Sequence, residues 1–385
     1  MAITSKIFFI TTTVTVLIST LIAINRSTKL SYQPSNNNNN NIKFSFSDHD
    51  NLKQQESETL CLGGATGPES FAFDKFGRGA YTGVSDGRIL KWEENEQRWI
   101  DFAVTSYHRI GCEEPCNRYE MEPICGRPLG LWLNESNGEL YIADAYMGLL
   151  KVGSEGGLAT KIVSCADKVP FNFTNNLDVD QSSGAVYFTD SSSRYQRRDY
   201  IYVILSGDKS GRLLKYDLQS KQVKVLIGNL SFPNGVVISK DGNSILFAET
   251  TTCRILKYWI KTPKIGTLEV FAELPGFPDN IKKSPRGGYW VAINSKREKI
   301  LEWTILNPWI GNSLIKLPLD LMKAYSILGK YRKSSCMAIR LSEDGDILEV
   351  FEDRKRFKSL SEVNEKDGKL WIGSIDLPFV GRYDI

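Results

Sequence analysis

Histidine is nearly absent: the 385 residues contain two, His49 and His108. Proton transfer near neutral pH falls most often to histidine, so a histidine-based catalytic centre is not expected here. An excess of one charge is missing too, with 48 Lys and Arg against 45 Asp and Glu and basic clusters no longer than Arg354 to Arg356. That balance excludes nucleic acid as an expected partner. Long uncharged runs are lacking except at the start, where Lys6 precedes the 18 residues from Ile7 to Ile24 and Arg26 and Lys29 follow them. Residues 1–30 therefore read as a cleaved secretory signal or a retained signal anchor, the one expected contact with a membrane. Residues 31–60 are poor in aliphatics and hold six consecutive Asn, from Asn36 to Asn41. They read as a disordered polar linker, unable to bury enough apolar surface to offset ordering entropy.

The remainder, 61–385, is long enough for one large all-β domain. Export makes the seven cysteines candidates for disulfides. Cys112, Cys116 and Cys125 cluster in the polar stretch GCEEPCNRYEMEPICGR, and Cys112 with Cys125 is the expected pair. An odd total leaves at least one thiol unpaired within the chain. Asn134, Asn172 and Asn229 open Asn-X-Ser/Thr sequons, expected glycosylation sites in a secretory compartment.

Internal repetition is the strongest signal. GRGAYTGVSDGRILKW, NGELYIADAYMGLLKV, SGAVYFTDSSSR with the later GRLLKYD, GNSILFAETTTCRILKYW, GGYWVAINSKREKILEW and DGKLWIGSIDLPFVGRYD share one pattern. Each is a Gly-containing turn, a short β-branched or aromatic strand, a polar turn and a second strand. Six such units predict a six-bladed β-propeller, whose radial closure protects the sheet edges an open all-β protein would expose.

The repeats permit a positional argument. Tyr81, Tyr141, Tyr187, Leu246, Trp290 and Trp371 occupy one place in the strand pattern. Counting back twelve positions, or eleven in the fifth unit, reaches Glu69, Leu129, Asn175, Asn234, Asp279 and Ser359. In a propeller the innermost strands line a central channel, so Glu69, Asn175, Asn234 and Asp279 should converge near one end of the axis, with Asn280 beside the last. Carboxylate and amide oxygens without His or Cys favour Ca2+. Asp144, Asp190 and Glu249 share a second place, three residues after Tyr141, Tyr187 and Leu246. They are the candidates for a catalytic base, or for a hydrogen-bond network that locks neighbouring blades.

VGSEGG from Val152, DKSGRLLKYD from Asp208, PNGVVISKDG from Pro233 and CGRPLGL from Cys125 together resemble the strictosidine synthase-like proteins of plants, over essentially the whole chain from Cys61. That family is similar in fold to the calcium-dependent lactonases and arylesterases of the paraoxonase and gluconolactonase group. The resemblance implies a six-bladed propeller with its active site at the channel mouth. A strictosidine synthase condenses an amine with an aldehyde through a last-blade Glu; counted from Asp367 and Gly368, that place holds Ser361 here, and Glu362 is one residue away. In the paraoxonase-like enzymes a Glu, two Asn and an Asp-Asn pair hold calcium, which matches Glu69, Asn175, Asn234, Asp279 and Asn280, whereas their active-site His matches Leu129.

The leading expectation is thus a calcium-dependent hydrolase of a small ester or lactone, in the secretory pathway, with the vacuole or the lumen of the endoplasmic reticulum as destination. An amine-aldehyde condensing lyase and a non-catalytic calcium-binding glycoprotein are the alternatives.

Overall fold

The computed structural model describes residues 57–385 apart from 75–78, 114–117, 298, 332–335 and 354–355. The signal or anchor at 1–30, most of the linker, and His49 lie outside the described residues. Six sheets stand around an axis, antiparallel except where the outer strand of blade 1, Arg98–Val104, also pairs in parallel with Gly157–Leu158. Their innermost strands are Phe71–Phe73, Pro128–Leu133, Thr174–Asp180, Pro233–Ile238, Gly276–Lys283 and Leu360–Lys366. The second strands are Ala80–Gly83, Leu140–Asp144, Ala185–Asp190, Ser244–Glu249, Tyr289–Lys296 and Lys369–Ser374. The fold is the expected six-bladed propeller. It opens slightly earlier than Cys61: Ser57–Cys61 is the outer strand of blade 6, paired antiparallel with the C-terminal strand Phe379–Asp384.

The burial pattern explains the sequence pattern. Second strands are covered by a neighbouring blade on each face, so Ser244–Glu249 (SILFAE) is buried at every position, as is usual for strands buried on both faces. Outer strands have one wet face, and Gln222–Leu230 alternates accordingly over its first half. The core is consequently divided into wedges. Six apolar clusters each join two adjacent blades; Val237, Leu246 and Ile255 of blade 4, for example, pack with Ile281, Val291 and Ile339 of blade 5.

A seventh cluster caps one end of the axis, where Leu129, Phe173 and Phe232 meet Val203 and Ile204. The cap is built from helices inserted between blade strands. After α1 (Arg118–Cys125) come α2 (Tyr200–Ser206) in blade 3 and α3 (Lys299–Leu306), α4 (Pro308–Ile315) and α5 (Leu321–Tyr331) in blade 5. Gly311 on α4 lets it lie on the end of α2, since a Cβ there would come within 1.7 Å of the Leu205 carbonyl oxygen. Cys112 and Cys125 form the expected disulfide, tying the end of α1 to the preceding loop.

A bulge recurs at the cap end of the innermost strands. In blades 3, 4 and 6 the pairing jumps from Thr174, Pro233 and Leu360 to Leu177, Val236 and Val363, three residues against two on the partner strand. Blade 5 does the same between Pro278 and Ile281. Such bulges turn side chains out of the ladder, and here they aim consecutive residues at the axis.

Candidate functional site

Register defines which residues are equivalent. Ala72, Trp132, Asp178, Val237, Lys282 and Asn364 pair with Tyr81, Tyr141, Tyr187, Leu246, Trp290 and Trp371. Three residues before each lie Glu69, Leu129, Asn175, Asn234, Asp279 and Ser361. The first five agree with the count along the sequence, but in blade 6 the position belongs to Ser361 and not Ser359. The cause is the hairpin: Lys366 pairs with Lys369 around a two-residue turn, where blade 3 spends four residues between Asp180 and Ala185.

Glu69, Leu129, Asn175, Asn234 and Asp279 all line one pocket beneath the cap, about 640 Å³ of space partly open to solvent. Both asparagines have fixed amides. Ser191 Oγ donates to the Pro233 carbonyl and therefore accepts from Asn175 Nδ2 at 3.0 Å; Thr250 Oγ1 donates to the Pro278 carbonyl and accepts from Asn234 Nδ2 at 3.2 Å. This leaves Asn175 Oδ1 and Asn234 Oδ1 buried with no donor, a costly state unless something else satisfies them. Asp279 accepts a 3.3 Å hydrogen bond from Asn294, another pocket residue. Burial, and then the nearby charge of Glu69, push the Asp279 carboxyl well above the usual range. Glu69 is also pushed up by burial, against the pull of Arg127, whose Nη2 lies 2.9 Å from Glu69 Oε2.

Asn280, grouped with the metal candidates in the sequence, does not line the pocket. It sits one layer lower, where its Oδ1 accepts from Asn176 Nδ2 across the axis and its Nδ2 points at the Glu69 carbonyl, 3.5 Å away. Gly235 makes room for it, since a Cβ there would stand 2.4 Å from Asn280 Cα. Asn280 thus supports the pocket floor.

The catalytic candidates Asp144, Asp190 and Glu249 are not brought to the pocket. Asp144 Oδ1 accepts from the backbone of Tyr146 and Met147. Asp190 takes Arg212 and the Phe173 N–H, and Glu249 takes Arg254, Thr252 and the Ser231 N–H. Arg212 and Arg254 are their direct cross-strand partners. These carboxylates close their own blades, because a side chain on the second strand points between blades and away from the axis. His108 is exposed in its loop against Tyr107, away from this pocket. Of the sequons, Asn229 is exposed, Asn134 is half-buried with its Oδ1 accepting from Ser136, and the Asn172 amide donates to the Ser193 carbonyl.

Sequence reasoning missed two arginines. Arg127 is fully buried behind Glu69 and also donates to the Gly67 carbonyl. A charged residue directly before the apolar strand PLGLWL, two places from a channel position, was the available signal. Arg197 also lines the pocket, paired at 2.6 Å with buried Glu122. It lies in an insertion with no counterpart in other repeats, so no positional argument reaches it.

Among the described residues no three His, Cys, Asp or Glu side chains gather as a metal cluster; the donors converging here are two carboxylates and two amides. At the blade 6 position Ser361 Oγ donates to the Glu69 carbonyl at 2.7 Å. Glu362 faces away from the pocket and accepts from the Phe71 N–H, with Lys282 Nζ 3.4 Å off.

Comparison with known proteins places this geometry. The model of the strictosidine synthase family matches residues 175–263, and that of the strictosidine synthase-like N-terminal region matches 50–92. Protein strictosidine synthase-like 2 of Arabidopsis thaliana is 55% identical over 331 residues, covering 84% of this chain and 88% of the relative. An adipocyte plasma membrane-associated protein of Salmo salar is 39% identical over 346 residues, covering 87% and 79%. Two solved structures share the fold: a gluconolactonase from Xanthomonas campestris (TM-score 0.56, 14% identity, 86% of this chain and 89% of that one) and a calcium-binding regucalcin from Agrobacterium tumefaciens (TM-score 0.56, 14% identity, 86% and 94%). Over most of its length, from sequence through blade architecture, the chain belongs to the strictosidine synthase-like family.

Proposed function

We propose that this propeller is a calcium-dependent hydrolase of a small ester or lactone, working in the secretory pathway, in the vacuole or the lumen of the endoplasmic reticulum. The observation that carries the reading is the pair of buried amide oxygens, Asn175 Oδ1 and Asn234 Oδ1, held without donors beside the carboxylates of Glu69 and Asp279. Four hard oxygen donors from separate blades fit Ca2+, which takes roughly 6 to 8 oxygens and leaves places for water and substrate. A fold shared with a gluconolactonase and a calcium-binding regucalcin supports the same class, and the disulfide suits an oxidising compartment.

Bound there, calcium supplies Lewis acidity towards a carbonyl oxygen. The protein's own residues do the rest. Phe173, Phe232 and Leu129 form a dry wall that strengthens electrostatic interactions at the reacting carbonyl. Glu69 is held by Arg127, so Asp279, which has no arginine partner among the described residues, is the carboxylate placed to receive a proton from attacking water. A synthase-type condensation gains no support: the last-blade position holds Ser361, committed to a backbone carbonyl, and Glu362 is turned to Lys282.

Calcium titration of the full chain by calorimetry, with an aryl ester assayed alongside, tests the reading. Wild type should bind one ion and turn over ester only in its presence, and Asn234→Ala and Asp279→Ala should each lose binding at least a hundredfold. Absence of calcium binding in wild type would overturn the proposal, and binding without turnover of any ester or lactone would reduce it to a metal-binding role.

A further inference from the structure

Arg197 has an orientation that the calcium reading leaves unused. It begins the short turn Arg197–Asp199 ahead of α2, is 7% exposed and lines the pocket. Glu122, itself 2% exposed, holds Nη1 from behind and is held in turn by the Tyr146 hydroxyl at 2.7 Å. A guanidinium carries five N–H donors in a planar fork. Among the described residues its hydrogen-bond partner is Glu122 alone, so the remaining donors are left for the pocket.

Glu69 feels the charges of Arg127, Arg197, Asp376 and Glu122, and with Asp279 this makes four carboxylates against two arginines. A divalent cation bound there would neutralise that excess and lower the repulsion that an incoming carboxylate meets. The pocket that Arg197 lines also has an apolar part: Phe173, Phe232, Ile204 and Leu301.

We infer that Arg197 is the specificity-determining residue of the pocket, and that its ligand is a small apolar molecule bearing one carboxylate, seated on the free edge of the guanidinium with its apolar body under α2 and α3. This deepens the hydrolase proposal and rests on its reading of the pocket as the ligand site. Planar, two-point recognition of a carboxylate is what arginine offers over lysine.

The test is calorimetric binding of phenylacetate, 4-phenylbutyrate and octanoate to the full chain, with and without saturating calcium, against 4-phenylbutyramide as neutral control. At least one carboxylate should bind, more tightly with calcium and at least tenfold more tightly than the amide; by linkage it should raise calcium affinity by the same factor. Arg197→Gln should weaken the carboxylate at least tenfold and leave the amide unchanged. Because that variant strands buried Glu122, the double variant Glu122→Gln with Arg197→Gln repeats the measurement with both charges removed, and Arg197→Lys should recover part of the affinity. Equal carboxylate affinity in wild type and the double variant, equal affinity for amide and carboxylate, or no carboxylate binding in any condition would overturn the inference, even with calcium bound normally. Arg197-dependent carboxylate binding in a protein that takes up no calcium would uphold it while the metal reading fell.

Discussion

Two sets of buried polar side chains repeat around this propeller, and they differ in one respect. On the second strands, Asp190 and Glu249 have every oxygen engaged by an arginine, a hydroxyl or a backbone N–H, while Asp144 has Oδ1 held by two backbone N–H groups and Oδ2 without a donor. On the innermost strands, Asn175 and Asn234 have their nitrogens fixed and their oxygens unclaimed. Both sets recur at equal phase, and both are buried. Repetition locates such residues; the balance of donors and acceptors tells which set closes the protein on itself and which awaits a ligand.

The largest effect is expected from removing an arginine of the second-strand set. Arg212→Ala strands the fully buried Asp190 carboxylate, and loss of one partner of a buried pair costs about 3 kcal/mol or more. Chemical denaturation should show that loss while calorimetry shows calcium affinity unchanged; the converse result would move the second-strand set into the site. Gly235→Ala comes next. Its Cβ would meet Asn280 Cα at 2.4 Å, overpacking that costs about 2 kcal/mol, and because Asn280 underlies Glu69, calcium affinity should fall with thermal stability.

Acidification acts on the pocket carboxylates. Burial and Glu69 raise the Asp279 carboxyl, and a carboxylate must be deprotonated to hold a metal. Protons therefore compete with calcium at a higher pH than for an ordinary aspartate. Calorimetry from pH 8 downwards should show affinity falling towards tenfold per pH unit, about 1.4 kcal/mol, once the raised pKa is crossed; a flat profile down to the normal aspartate range would contradict the placement of Asp279. The smallest effect belongs to Ser361→Ala, which removes one hydrogen bond to the Glu69 carbonyl. It should cost about 1 kcal/mol of stability with a small change in calcium affinity.

What the sequence made legible was whatever repeats. Six copies of one strand pair gave the architecture, and equal phase found Glu69, Asn175, Asn234 and Asp279, because the strand pairing keeps one offset through blades 1 to 4 and departs from it by one residue in blade 5. In blade 6 the count slipped: the tight turn at Asp367 and Gly368 moved the position from Ser359 to Ser361. Asn280 lies outside the pocket lining because adjacent residues in a bulge face different layers, which counting along the sequence does not show. Arg197, Tyr200, Leu301 and Tyr325 stand on insertions found once each, so their arrival at the pocket depends on tertiary packing such as the seat of α4 on α2 at Gly311.

The seam between Ser57–Cys61 and Phe379–Asp384 has a consequence for synthesis. A ribosome releasing about 5 to 20 residues per second makes the first of these strands on the order of tens of seconds before its partner exists. Until then blade 6 lacks the strands that pair with it, and blades 1 and 5 each present an uncovered apolar face. Ring closure joins residues as far apart as Ser57 and Tyr383, a separation that favours slow folding. The nascent chain therefore carries uncovered apolar blade faces through most of its translation, and the ring closes only when the last strand, Phe379–Asp384, is made.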